Sequence, residues 1–134
     1  MQHNRKIFDV HTHIGRFGKW FLKGNEIEPF KNREVDSPET LKRFMDEKGI
    51  SNIIIMPHYT PNQEKPFVEY NPLVIECITE INEAYGGLWV SPREDVWHLT
   101  EKVLNEKPHP KIKVLKISPD SWPKGTSIDP ASWS

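Results

Sequence analysis

Asp9-Val10-His11-Thr12-His13 is where this sequence gathers side chains that bind metals. Two imidazoles one residue apart, with a carboxylate two residues earlier, are half of a coordination shell for zinc or a similar divalent cation. Ile7-Phe8 before them and Ile14-Gly15 after them read as a short buried strand that ends at the histidines. Side chains alternate across a strand, so Asp9, His11 and His13 are expected on one face. The plainer alternative is a pair of partly buried histidines in ordinary hydrogen bonds. The apolar strand ahead of the pair and the glycine behind it favour the metal.

Other residues near expected strand ends can serve such a site. His58 leaves the second strand on the side of the histidine pair, where it can touch substrate or contact a metal, or be merely exposed. Arg93, after the third strand, is placed to hold a substrate anion, or else to cap a helix. Asp120 and Trp122 lie on the fourth exit loop and are expected to line a pocket. His98 and His109 fall away from this end and are expected to be structural or exposed.

The elements that position these residues follow in a regular order. The stretch from Arg16 to Asp36 is long and irregular, carries Phe17, Trp20, Phe21, Leu22, Ile27 and Phe30, and has the length of a functional loop or lid. Ser37-Pro38-Glu39 opens a helix with a capping hydroxyl, a first-turn proline and an acid near the positive end. Leu41, Phe44 and Met45 recur at helical spacing, and Gly49 ends the helix. Ile50 to Met56 is a continuous apolar run suited to a parallel strand covered on both faces. Asn71-Pro72 opens a second helix with Val74, Ile75, Ile78, Ile81 and Tyr85 on its apolar side, and Gly86-Gly87 is expected to stop it. Leu88-Trp89-Val90 reads as a third strand, Glu94 and Asp95 open a third helix that runs to about Glu106, and Lys111 to Ile117 is a fourth strand.

The order β-α-β-α-β-α-β implies an α/β fold with right-handed crossovers and a parallel sheet. A complete eight-stranded barrel of such units takes about 250 residues, and this chain of 134 supplies about four strands. Asp129 and Pro130 read as the start of a fourth helix that the sequence leaves unfinished at Ser134, so a fragment of a longer barrel is expected.

Composition narrows the function class. The chain is 28% charged and 36% hydrophobic with a net charge of −1, an ordinary globular balance for one domain. There is no basic excess to attract nucleic acid, and no apolar run approaches the roughly 18 residues of a membrane span. The N-terminus lacks the pattern of a secretory signal, and the lone Cys77 excludes an internal disulfide and a cysteine-rich zinc knuckle. A cytoplasmic protein acting on a small molecule, with no nucleic acid or membrane partner, is expected. Gly15, Gly18 and Gly24 are spaced wrongly for a phosphate-cradling loop.

Four pieces together resemble the amidohydrolase superfamily, in particular its amidohydrolase-related branch of metal-dependent TIM-barrel enzymes. They are Phe8-Asp9-Val10-His11-Thr12-His13-Ile14-Gly15, the run from Gly49-Ile50 to Pro57, Val90-Ser91-Pro92-Arg93, and Val114-Leu115-Lys116-Ile117-Ser118-Pro119. The resemblance spans residues 1–134 but only the N-terminal half of the family's barrel. It implies a divalent metal, usually zinc with manganese or iron as alternatives, held by His11 and His13 at the C-terminal mouth of the strands. Asp9 would orient an imidazole from behind or bind the metal itself. Lys116 matches the place where some members carry a carbamylated lysine that bridges two metals; its other expected roles are a strand residue or a cation for a substrate carboxylate. The family's later histidines and its catalytic aspartate belong to strands that this sequence lacks.

The activity implied is metal-assisted hydrolysis of a C–N, ester or lactone bond, with decarboxylation of the same branch as the alternative. A phosphoesterase of the polymerase-and-histidinol-phosphatase type also opens with Asp-x-His-x-His, but it follows its second strand with an Asp-His pair where this chain has Pro57-His58. The reading from a different class is a non-catalytic half-barrel whose open edges bind a C-terminal half chain or a second copy of itself.

Overall fold

In a computed structural model of the chain, residues 6–15, 20–27, 34–58, 70–92, 97–106, 109–117 and 125 are described. Arg93, Asp120 and Trp122 lie outside them, as do Phe17, Phe30, the expected helix start at Glu94-Asp95 and the expected fourth helix from Asp129.

Strand β1 (Ile7–Ile14) is followed by a small antiparallel hairpin, β2 (Trp20–Leu22) with β3 (Asn25–Ile27). The hairpin stands inside the segment expected to be irregular. Its turn residues Lys23 and Gly24 both have positive φ, 51° and 79°, the arrangement that matches the twist of a tight hairpin. Then come α1 (Pro38–Lys48), β4 (Ile50–Pro57), α2 (Tyr70–Glu80), β5 (Ala84–Trp89), α3 (Trp97–Asn105) and β6 (Ile112–Lys116). No helix among the described residues is long and apolar enough to cross a membrane.

Helix α1 begins and ends where its sequence says. The Ser37 hydroxyl accepts the Thr40 backbone N–H, the Thr40 hydroxyl accepts the Ser37 N–H, and Pro38 occupies the first turn. Gly49 closes the helix in the left-handed conformation at φ 66°.

Strands β1, β4, β5 and β6 form one parallel sheet in chain order. The core draws on alternate strand residues: Ile53 and Ile55 of β4, Ala84 and Leu88 of β5, and Ile112 of β6. These meet Leu41 and Met45 of α1, Val74, Cys77 and Ile78 of α2, and Val103 of α3. Since alternate residues share a face, all three helices cover the same side of the sheet. A sheet wound in one direction with its helices on one side is a partial βα-repeat fold.

Gly86-Gly87 does not end α2 but runs through the middle of β5. Helix α2 stops at Glu80, and Tyr85, expected on its apolar side, belongs to the strand. A Cβ on Gly86 would lie 2.7 Å from Val74 Cγ1 and 2.8 Å from Ile112 Cδ1. The glycine is there because helix and neighbouring strand approach the backbone too closely for a side chain.

Candidate metal half-site at the strand ends

The ladder between β1 and β4 sets His13 against Met56 and Ile14 against Pro57. The His58 backbone N–H donates to the Ile14 carbonyl at 2.9 Å, so the two strands leave the sheet tied together. This register brings the Pro57 carbonyl to the His13 ring, 3.1 Å from Nδ1. A carbonyl only accepts, so His13 Nδ1 carries the proton and Nε2 presents a lone pair. A ring that donates one N–H to the backbone and turns its other nitrogen outward is oriented as a metal-ligating histidine is.

His11 Nε2 lies 2.9 Å from His13 Nε2, with the rings edge to face and their centroids 4.8 Å apart. A single proton from His11 satisfies this approach as an N–H···N bond. A cation between the nitrogens satisfies it equally. At about 2.0–2.1 Å from each nitrogen, the 2.9 Å spacing subtends about 90° at the ion, the angle of neighbouring ligands in an octahedral or five-coordinate shell. A tetrahedral pair would stand about 3.4 Å apart at the same bond length. The two side chains therefore fit a divalent ion as neighbouring ligands.

Electrostatics keep the inner histidines in the ligating form. His13 titrates below its ordinary range, chiefly because burial penalises the charged ring; the Pro57 bond works against this, and His11 and Lys116 add to it. His58 stacks edge to face on His13 with centroids 5.7 Å apart. Burial, aided by the nearby His13, pushes His58 down to about 4. Both rings are neutral near pH 7, as metal ligation requires.

Asp9 departs from the expected alternation. Between Asp9 and Thr12 the β1 ladder takes one residue more than β4 does, since Asp9 pairs with Ile53 and Thr12 with Ile55. This β-bulge puts Asp9 out of phase with His13. The Asp9 carboxylate accepts the His11 backbone N–H at 3.0 Å, holding the bulge rather than an imidazole.

Lys116 ends β6 beside Trp89, its partner in the β5–β6 ladder, and its charge is felt at His13. His11, His13, His58 and Lys116 thus gather at one end of the sheet. His98 is exposed, and His109 accepts the Lys111 N–H in the turn before β6. Among the described residues, no three or more histidine, cysteine or carboxylate side chains form a metal-binding group.

Two supporting residues carry no recognisable signal in the sequence. Asn71, expected to open α2, instead lies one residue inside it and clamps the end of β5: its amide donates to the Trp89 carbonyl at 3.1 Å and accepts the Trp89 N–H at 2.9 Å. Thr100 of α3 does the same for Ser91, accepting its N–H at 2.9 Å and donating to its carbonyl at 2.6 Å. A helix asparagine and a helix threonine are commonplace, and only the fold reveals their partners. No family model, no curated protein and no solved structure matches this chain.

Proposed function

We propose that this chain is the N-terminal half of a metal-dependent hydrolase of the amidohydrolase-related kind, built as four units of a (β/α)8 barrel. The observation that carries this reading is His13, whose Nδ1 donates to Pro57 while Nε2 faces His11 Nε2 at 2.9 Å. His11 and His13 hold the cation, zinc by preference and manganese or iron as alternatives. Such an ion, when bound, supplies a water whose pKa falls to about 7. The bulge held by Asp9 sets the angle of His11, and the β1–β4 register sets His13. Lys116 offers a cation to a substrate anion, and His58 stands edge to face beside His13.

The substrate is a small molecule with a C–N, ester or lactone bond. The remaining ligands and the carboxylate that takes the water's proton come from beyond this chain, so hydrolysis by an isolated single copy is not expected. The test is the metal content of the purified chain beside a His11→Ala, His13→Ala double variant. Bound zinc or manganese that the variant loses supports the half-site. Equal metal in both proteins, or none in either after zinc loading, overturns it.

A further inference from the structure

Three hydrogen bonds tie the end of β1 to the rest of the fold. The His13 ring donates from Nδ1 to the Pro57 carbonyl at 3.1 Å. One residue on, the Ile14 carbonyl accepts the His58 N–H at 2.9 Å, and the Gly15 N–H donates to the Val35 carbonyl at 2.8 Å. Ile14 and Val35 both belong to the core. The first bond differs from the other two, because its donor is the ring whose opposite nitrogen faces His11 Nε2 at 2.9 Å.

A cation and a carbonyl on opposite nitrogens of one imidazole strengthen each other. The carbonyl fixes the tautomer that leaves Nε2 a lone pair, and raises the basicity of that nitrogen. A cation at Nε2 draws electrons from the ring, so Nδ1–H becomes a stronger donor, toward the charge-assisted kind. Linkage makes the two effects equal: the factor that a closed strand exit adds to ion affinity is the factor that the ion adds to closure. His11 lies before that exit, with its N–H held by Asp9 within β1 at 3.0 Å. Opening of the exit therefore shifts His13 relative to His11 and breaks the pair.

We infer that ion and strand exit act as one switch: filling the His11–His13 pair closes the ends of β1 and β4, and the metal-free chain opens there. Metal supply thus governs the order of the site's mouth from His13 to His58, an inference that rests on the half-site proposed above. The opposite end of the sheet is not part of the switch. There the Ala84 N–H donates to the Ile81 carbonyl at 3.1 Å and the Gly86 N–H to the Lys111 carbonyl at 2.9 Å, so these two amides serve as references.

Amide exchange of the natural chain is measured with and without saturating zinc, beside the zinc affinities of His58→Ala and His58→Pro. Zinc is expected to slow the His58 and Gly15 amides about 10–100-fold. Ala84 and Gly86 are expected to slow less, since only the first two open together with the site. His58→Ala removes the ring and keeps the backbone N–H, whereas His58→Pro removes both. Zinc affinity is therefore expected to be about 10–100-fold weaker in His58→Pro than in His58→Ala.

Zinc bound with His58 and Gly15 unslowed, or with all four amides slowed alike, overturns the inference and leaves the metal half-site standing. Equal zinc affinity of the two variants, both folded by circular dichroism, also overturns it. Should His58→Pro fail to fold, amide exchange of the natural chain decides alone. A natural chain that binds no zinc overturns the half-site and the switch together.

Discussion

Burial decides the charge of His58 before any ligand arrives. The unfolded chain holds this imidazole at its ordinary 6.5, whereas in the fold it titrates near 4. Between those values the unfolded state binds more protons, so the stability due to His58 is fully present above about pH 6.5 and drains as pH falls toward 4. His13, also lowered, adds a loss of the same sign. Denaturant titrations of the metal-free chain are expected to lose on the order of 1–2 kcal/mol between about pH 7 and pH 4.5 from these half-exposed rings, after solvent screening. His58→Gln removes most of that dependence; a slope unchanged in the variant would assign it to other groups. Cys77 behaves in the opposite sense. Burial, with Glu76 and Glu80 nearby, pushes its thiol up to about 12, so the folded protein keeps it protonated and unreactive.

Among the elements, β5 is the most constrained. Asn71 and Thr100 grip its exit from two helices, and Gly86 lets α2 and β6 close on its middle. Asn71→Ala removes two hydrogen bonds to the Trp89 backbone and is expected to cost about 1–3 kcal/mol by urea denaturation. Asn71→Asp keeps the acceptor and loses the donor, so a smaller loss is expected; equal losses would mean that only the Trp89 carbonyl matters. Gly86→Ala must displace Val74, whose branched side chain has little rotamer freedom, and a net cost of about 1–2 kcal/mol is expected.

The same strand shows what the sequence conceals. Helix α1 was legible from Ser37 and Gly49, and β4 from its isoleucines, because caps and apolar runs act within a few residues. Gly86-Gly87 carries the local signature of a break, and only the approach of Val74 and Ile112 explains it as strand. The histidine pair was legible by type and spacing. The Pro57 carbonyl that fixes His13, and the bulge that turns Asp9 away, depend on the β1–β4 register and leave no mark in either segment alone.

At the scale of the molecule, the core among the described residues packs all three helices against one sheet, so the described units are expected to unfold together. Cys77 lies at its centre with no exposure. Labelling of Cys77 by a thiol reagent is expected to follow global unfolding, rising with denaturant in step with loss of circular dichroism. Fast labelling under native conditions would instead reveal local opening of α2 away from the strands.

The chain-order pairing of the strands also orders events during synthesis. Each strand finds its partner one crossover earlier, and the widest of these closures, Ile7 with Ile50, is also the first that an emerging chain can make. Closing it costs the most loop entropy of the three ladders, and the later strands then add across shorter spans. By the time residue 58 has left the ribosome, the ladder that carries His13 to Pro57 has all its parts. The contact of His13 with the Pro57 carbonyl is thus among the earliest long-range contacts open to the nascent polypeptide, available before α2 has emerged.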